Sequence, residues 1–287
     1  MSNNIAIIIK TAPNRKSLLW LLNSIELSLC DVSYRIYLAD EKPLDDWKID
    51  LYNKLRDQGH FVKIWDEPVA VTIARNDLIN QLQEENYVLR VDDDFELGGE
   101  FNIHALLTVL EQDDIDFCCD VERQIGDGKI ESGKTRIESG YIYFQKNKRP
   151  VRKFIKDTSW KYKEVNNIRF AKADYMRNLI LLKRHCFEKV AWNENLFFSG
   201  EHLDFFMSLK KAGFHGAFTT NSIHLHRDDL KYQSINILND KKWKKNDKTN
   251  NKNIEFKNKW GGVPKVSRGP IIDCYNYFSK KLIKLKW

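Results

Sequence analysis

The sequence predicts an α/β fold, a mixed sheet flanked by helices with a basic extension at its C-terminal end. Three observations predict it. Short β-branched runs alternate with amphipathic segments of helical spacing over residues 5–91, the pattern of a mostly parallel sheet covered on both faces. Polar and acidic residues fall at the ends of those runs, where such sheets bind ligands. Charge is also unevenly divided: residues 241–287 hold 14 Lys/Arg and 3 Asp/Glu, a net of +11, against −4 for the preceding 240 residues.

Residues 5–11, IAIIIKT, read as a buried strand, broken by Pro13 and Asn14. Residues 16–29 follow with apolar positions 18, 19, 22, 25 and 29, a helix. YRIYLADE, 34–41, is a second strand ending on acids. Pro43 and Asp45 turn the chain into an amphipathic helix closed by Gly59, and HFVKIWDE is the third strand. Residues 72–85 are expected to be helical from an N-capping Thr72, and YVLRV is the fourth strand.

The middle is less regular. FNIHALLTVLEQ reads as a helix, IDFCCDVE as a strand, 126–139 as a hairpin or loop, GYIYFQ as a strand, and 145–169 as a mobile loop bearing Trp160 and Tyr162. Those two aromatics fit either an acceptor-stacking or a loop-anchoring role. Order returns at 173–192. A helix is expected from about Glu201 to Gly213, then the strand GAFTTNSIHLH. Residues 240–253 are low in complexity and expected to be flexible. The expected organisation is a domain over 1–240 and a tail over 241–287.

The composition, 42% hydrophobic and 30% charged over 287 residues, supplies a real core. No apolar stretch reaches the roughly 18–20 residues of a spanning helix. The N-terminus lacks the basic region of a signal peptide, so a cytoplasmic location is expected. The five cysteines form no CxxC pair, which argues against zinc and for reduced thiols filling the core.

The informative stretch is YVLRVDDDFEL, 87–97. Three carboxylates fired from a buried strand repel one another and resist burial, a cost that a divalent cation removes. Mg²⁺ and Mn²⁺ prefer oxygen ligands and often share them with substrate phosphates. In an extended chain Asp92 and Asp94 point to one face and Asp93 to the other. One of the pair can bind the ion directly, the other through water or a sugar hydroxyl.

The order IAIIIKT, YRIYLADE, ARND, VLRVDDDFEL, FFSGEHLDFF and SIHLH resembles the GT-A fold inverting glycosyltransferases, family-2-like and closest in motif to the β-1,4-N-acetylgalactosaminyltransferase group. The resemblance implies a GT-A type, Rossmann-like mixed sheet and a metal-dependent transfer from a nucleotide-sugar, UDP-N-acetylhexosamine or UDP-hexose, to a glycan hydroxyl. It implies that Asp92 and Asp94 frame a D-x-D site for Mn²⁺ or Mg²⁺ and the donor diphosphate, with Asp93 between them on the donor side. Thr11, Arg15, Asp40, Arg75 and Asn76 would meet the nucleotide, and Asp174 the donor sugar. His224 or His226 would complete the metal shell. The catalytic base would be Glu201 or, second, Asp204; Glu201-His202 stands where many relatives carry a Glu-Asp pair.

The tail combines Lys with Trp243, Trp260, Tyr275, Tyr277, Phe278 and Trp287. This pattern suits an anionic membrane surface and hence a peripheral place at the inner membrane face, with a lipid-linked surface glycan such as lipooligosaccharide, O-antigen or capsule as acceptor. No nucleic-acid-binding signature is present. The rival readings are a nucleotidyltransferase of similar fold, which lacks its glycine-rich loop after the first strand here, and a non-catalytic membrane or nucleic-acid adaptor.

Overall fold

The structure, a computed structural model, describes residues 4–13, 15–126, 129–137, 139–145, 148–155, 159–176, 179–197, 200–227 and 249–267. The expected flexible stretch before 249, and Tyr275, Tyr277, Phe278, Trp243 and Trp287 of the tail, lie outside them.

Strands β1 (Asn4–Lys10), β2 (Ser33–Glu41), β3 (Phe61–Trp65) and β4 (Tyr87–Asp92) are joined by helices α1 (Ser17–Ser28), α2 (Asp46–Asp57) and α3 (Val71–Asn80). They pair in parallel in the order β4-β1-β2-β3. β1 shows why: Ile5 to Ile9 are almost wholly inaccessible, as a strand covered on both faces requires. Its alternation feeds two cores. Ile5, Ile7 and Ile9 pack with Leu18, Leu21 and Ile25 of α1, whereas Ala6 and Ile8 pack with Ala74 and Leu78 of α3. Burying each such isoleucine stabilises the fold by about 1.5–3 kcal/mol. Leu19, expected on the inner face of α1, is exposed, and Leu21 takes its place.

Beyond β4 the sheet becomes mixed. A short β5 (Phe95–Glu96) precedes α4 (Ile103–Leu110), whose start is capped by the Asn102 side chain accepting from Ala105 N. β6 (Phe117–Gly126) takes the strand expected at IDFCCDVE and pairs antiparallel with β7 (Lys129–Arg136), which lies where a hairpin or loop is expected. β8 (Gly140–Gln145) and β9 (Lys148–Phe154) follow, then β10 (Lys163–Val165), β11 (Ile168–Lys172) and β12 (Ile180–Lys183). Helix α5 (Glu201–Lys211) and the long β13 (Gly216–Arg227) close the sheet. The main path runs β10-β11-β13-β6-β12-β4-β1-β2-β3, with β5 on β13 and β7 on β6. β12 lies antiparallel to both β4 and β6.

Several expectations change. Residues 145–169 carry β9, β10 and the start of β11 rather than only a loop. Trp160 is buried against Phe218 and Tyr141, and Tyr162 packs on Phe218 beneath the Arg169 guanidinium, so both aromatics anchor the segment. α3 begins at Val71 and ends at Asn80; Thr72 lies inside it, its hydroxyl donating to the Leu196 carbonyl at 3.1 Å. Cys118, Cys119 and Cys186 are buried thiols, and Cys30 is exposed.

The largest change concerns the basic extension. Helix α6 (Thr249–Trp260) and strand β14 (Lys265–Ser267) lie within it, and β14 joins β8 and β9 in a small second sheet. Phe256 is fully buried and Trp260 nearly so, both in the same core as α3 and α5. Trp260 is therefore a packing residue and not a membrane-facing one. No helix among the described residues is long and apolar enough to cross a membrane.

Candidate active site

The parallel strands β1, β2 and β4 deliver Thr11, Asp40 and Asp92 to one edge of the sheet, and the antiparallel pairing of Leu225 and His226 with Glu96 and Phe95 brings the end of β13 beside the acidic cluster. Two groups of side chains assemble there.

The first group surrounds Asp92. Its Oδ1 accepts from Arg75 Nη2 at 2.9 Å and from Arg90 Nη2. Burial opposes its charge, but the two guanidiniums outweigh that and hold the carboxyl well below the usual range. Burial and the neighbouring Arg90 bring Arg75 down to about 10, still a cation at neutral pH. His202 Nε2 stands 3.3 Å from Arg90 Nη2 and 3.2 Å from Glu201 Oε1. Burial and both arginines push His202 well below its ordinary value, so it is neutral at pH 7. Glu201, at the first position of α5, is raised by burial, only partly offset by Arg75.

The second group surrounds Asp94. The chain turns at 93–94 between β4 and β5, so the alternation expected of an extended strand stops at Asp92. Asp92 therefore faces Arg75 and Arg90, while Asp93 and Asp94 both approach Arg15, with Nη1 3.8 Å from each carboxylate. Thr11 Oγ1 donates to Asp93 Oδ2 at 2.7 Å, and burial raises Asp93. Asp94 Oδ2 looks across at His226 Nε2, 3.6 Å away, and the other ring nitrogen of His226 is 3.4 Å from Glu122 Oε1. Burial lowers His226, yet Asp94 and Glu122 prevail and lift it to about 9.

This arrangement fits a divalent cation. A gap of 3.6 Å is too long for a good hydrogen bond. An ion about 2.1 Å from each of two ligands leaves them roughly 3–4 Å apart. Nδ1 turned to a carboxylate is the support that presents Nε2 to a metal. Among the described residues no group of three or more His, Cys, Asp or Glu side chains is placed to hold a metal ion by itself. A cation shared with a diphosphate and water does not need one.

Other sequence-level candidates are engaged elsewhere. Asp40 has no exposed surface; Oδ2 takes Lys48 Nζ at 2.7 Å and Tyr52 Oη at 2.6 Å, and Oδ1 takes the Glu41 amide. It is half of a buried ion pair. Asn76 clamps the Trp192 backbone through both ends of its amide and reaches Glu194. Asp174 accepts from the Ile142 amide and from Lys210 Nζ, tying β8 to α5. His224 is buried with Nδ1 2.7 Å from Asp120 Oδ1, which leaves His226 as the histidine at Asp94. Asp204 does not share a cleft with Glu201: Trp260 Nε1 donates to one oxygen at 2.6 Å and Lys259 Nζ to the other at 2.8 Å.

Sequence reasoning missed Arg90, Asp120, Glu122 and the α6 partners of Asp204. A signal existed for two of them: Asp120 and Glu122 stand two apart directly after the apolar run Phe117–Cys119, as His224 and His226 stand two apart on the strand that pairs with it.

No family model and no curated protein matches the sequence. Solved structures do. GalNAc-T7 with UDP, GalNAc and Mn²⁺ superposes with a TM-score of 0.58 at 15% identity, over 79% of this chain and 44% of that one. Staphylococcus aureus TarS matches at 0.53 and 15%, over 83% and 40%, and its residues 1–349 at 0.50 and 14%, over 83% and 66%. The chain thus spans between 40% and 66% of the length of these structures. The fold is GT-A.

Proposed function

We propose that the chain is an inverting, metal-dependent glycosyltransferase that moves a sugar from a nucleotide-sugar to a hydroxyl of a glycan. The observation that carries this is the juxtaposition of Asp94 and His226 at a cation's spacing, at the sheet edge that also holds Asp92, Arg75 and Glu201. The similar structure bound to UDP and Mn²⁺ supports a UDP-linked donor and Mn²⁺ or Mg²⁺.

In this reading Asp94 and His226 hold the cation. Glu122 lies 3.4 Å from Nδ1 on the other side of the His226 ring, and Asp92, with Oδ1 taken by the arginines, would offer its second oxygen to a donor-sugar hydroxyl or, through water, to the cation. When bound, the cation offsets the negative charge that gathers on the leaving diphosphate. Arg15 and Arg75 stand ready to add fixed positive charge at that position. Glu201 takes the acceptor proton; its burial-raised affinity for protons suits a general base. Attack from the face opposite the leaving group inverts the anomeric carbon in one step.

The choice of Glu201 over Asp204 follows from the two α6 side chains already on Asp204. The +11 charge of 241–287 supports a peripheral place at an anionic, cytoplasmic membrane face and a lipid-linked bacterial surface glycan as acceptor.

Calorimetric titration with UDP tests the reading. Wild-type protein should bind UDP only with Mn²⁺ or Mg²⁺, and Glu201→Gln should keep that binding while losing donor turnover. UDP binding that is indifferent to the cation would refute the metal assignment.

A further inference from the structure

Beside Glu201 the surface opens into a cavity of about 340 Å³, lined in part by Arg152, Phe154, Tyr175, His202, Phe206 and Lys252. We propose that it receives a sugar unit carrying an anionic group, a carboxylate or a phosphate, and that Arg152 is the residue that pairs with it. The proposal rests on the glycosyl-transfer reading above and deepens it.

The walls are those of a sugar site. Three aromatic residues are part of its lining, and the volume lies at the small end of ligand pockets, which start near 300 Å³. Its place fits as well. Gly200 and His202, the chain neighbours of Glu201, line it, and His202 Nε2 lies 3.2 Å from Glu201 Oε1.

The charge of the lining is one-sided. Arg152, His202 and Lys252 are its titratable cationic or cation-forming groups, and no Asp or Glu is among the described residues that line it. The Arg152 guanidinium lies 4.7 Å from the Phe154 ring centre and 5.1 Å from that of Tyr175. Such stacking uses the guanidinium face and leaves its N–H edge to donate in the plane. Its Nε is buried without a hydrogen-bond partner, and no carboxylate among the described residues pairs with it. An arginine fixed by two rings with its donor edge unspent matches the planar geometry of a carboxylate or phosphate.

Gly200 keeps the wall in place. Its φ is +88°, and a Cβ there would meet Phe256 and Lys252 of α6 at 2.9 Å, so α6 packs directly on the turn that leads into Glu201.

The anionic unit could belong to the acceptor or to the donor sugar, and one experiment separates them. Saturation-transfer NMR and calorimetry on the full chain with UDP and Mn²⁺ would compare methyl glucuronide with methyl glucoside, methyl galacturonide with methyl galactoside, and glucose 6-phosphate with glucose. A second arm compares UDP-glucuronate with UDP-glucose. At least one pair should show about tenfold or greater preference for the anionic member in wild type, a preference lost in Arg152→Gln while Mn²⁺-dependent UDP binding is unchanged. Preference in the first arm places the unit on the acceptor, and in the second on the donor. Equal binding within every pair, or a preference that survives Arg152→Gln, overturns the proposal. Loss of UDP binding in Asp94→Ala but not in Arg152→Gln would keep the transferase reading standing even then.

Discussion

Trp260→Phe isolates what holds the basic extension to the domain. The indole Nε1 donates to Asp204 Oδ1 at 2.6 Å, and the Asp204 side chain is 2% exposed. Phenylalanine keeps most of the ring in the core and deletes one hydrogen bond to a buried carboxylate. A hydrogen bond to a charged group contributes about 1.5–3 kcal/mol, and a buried oxygen left short of a donor keeps its desolvation cost. The expected loss is therefore about 2 kcal/mol. At roughly 2–4 °C per kcal/mol for a chain of this size, Tm falls by about 4–8 °C.

The comparison that sharpens the argument is Lys259→Met. Lys259 Nζ reaches the other oxygen of Asp204 at 2.8 Å, but its side chain is 35% exposed. Water screens that pair, and its worth falls toward the 0–1 kcal/mol of surface ion pairs. Urea denaturation should rank Trp260→Phe well above Lys259→Met. In an Asp204→Asn background the Trp260→Phe penalty should shrink, since the two residues share one interaction. If Trp260→Phe costs less than about 0.5 kcal/mol, or the ranking reverses, α6 is not docked through Asp204. The reading of residues 249–260 as a detached tail would then return, and Asp204 would again be open to a catalytic role.

The other expectations concern the site directly. Asp94→Ala and His226→Ala should each weaken Mn²⁺-dependent UDP binding by tenfold or more in calorimetry, whereas His224→Ala should act chiefly on stability through Asp120. Glu201→Gln should lower donor turnover by about 10²–10⁴-fold with UDP affinity retained, measured as nucleotide release from a donor and acceptor pair. In metal-free protein His226, lifted to about 9 by Asp94 and Glu122, binds its proton more tightly folded than unfolded. The stability it adds, up to about 3 kcal/mol, is complete below about pH 6.5 and is lost as pH rises through 9. His226→Asn should flatten that slope in urea titrations, and Mn²⁺ affinity should climb over the same range as the proton leaves. Asp40→Asn should destabilise by about 3–5 kcal/mol by stranding the buried Lys48 charge and leave UDP affinity unchanged in whatever fraction folds.

Residues such as Asp40 and Asp94 mark the limit of what could be read from the chain alone. The parallel half of the sheet was legible because its determinants are local: Ile5 to Ile9 repeat with the strand period, and the apolar stripe of α1 repeats with the helical one. The motif around Asp92 was legible because like charges gathered at one point need a cause. What the sequence hides is the partner of each acid. Asp40 and Asp94 both end apolar runs, yet Asp40 meets a lysine and a tyrosine from the next helix, and Asp94 meets a histidine that arrives 132 residues later on β13. Spacing along the chain carries no record of that meeting; only pairing between β5 and β13 creates it.

The same logic explains why the two helical acids of GEHLDFF part company. Three residues along a helix is about 300° of turn, which leaves Glu201 and Asp204 near enough to share a face but not bound to share a neighbour. The decision lies with what packs on either side. On one side stand Arg75 and Arg90, whose charges make Glu201 part of the site. On the other lies α6, drawn from a segment whose lysines and asparagines disguise a single buried stripe of Phe256 and Trp260. A lysine- and asparagine-rich stretch can contribute two anchoring rings and still read as solvent-facing charge, because the average over its residues hides the few that pack. Here the Trp260 indole and the Lys259 ammonium occupy both oxygens of Asp204, which supports Glu201 over Asp204 as the base of the proposed reaction.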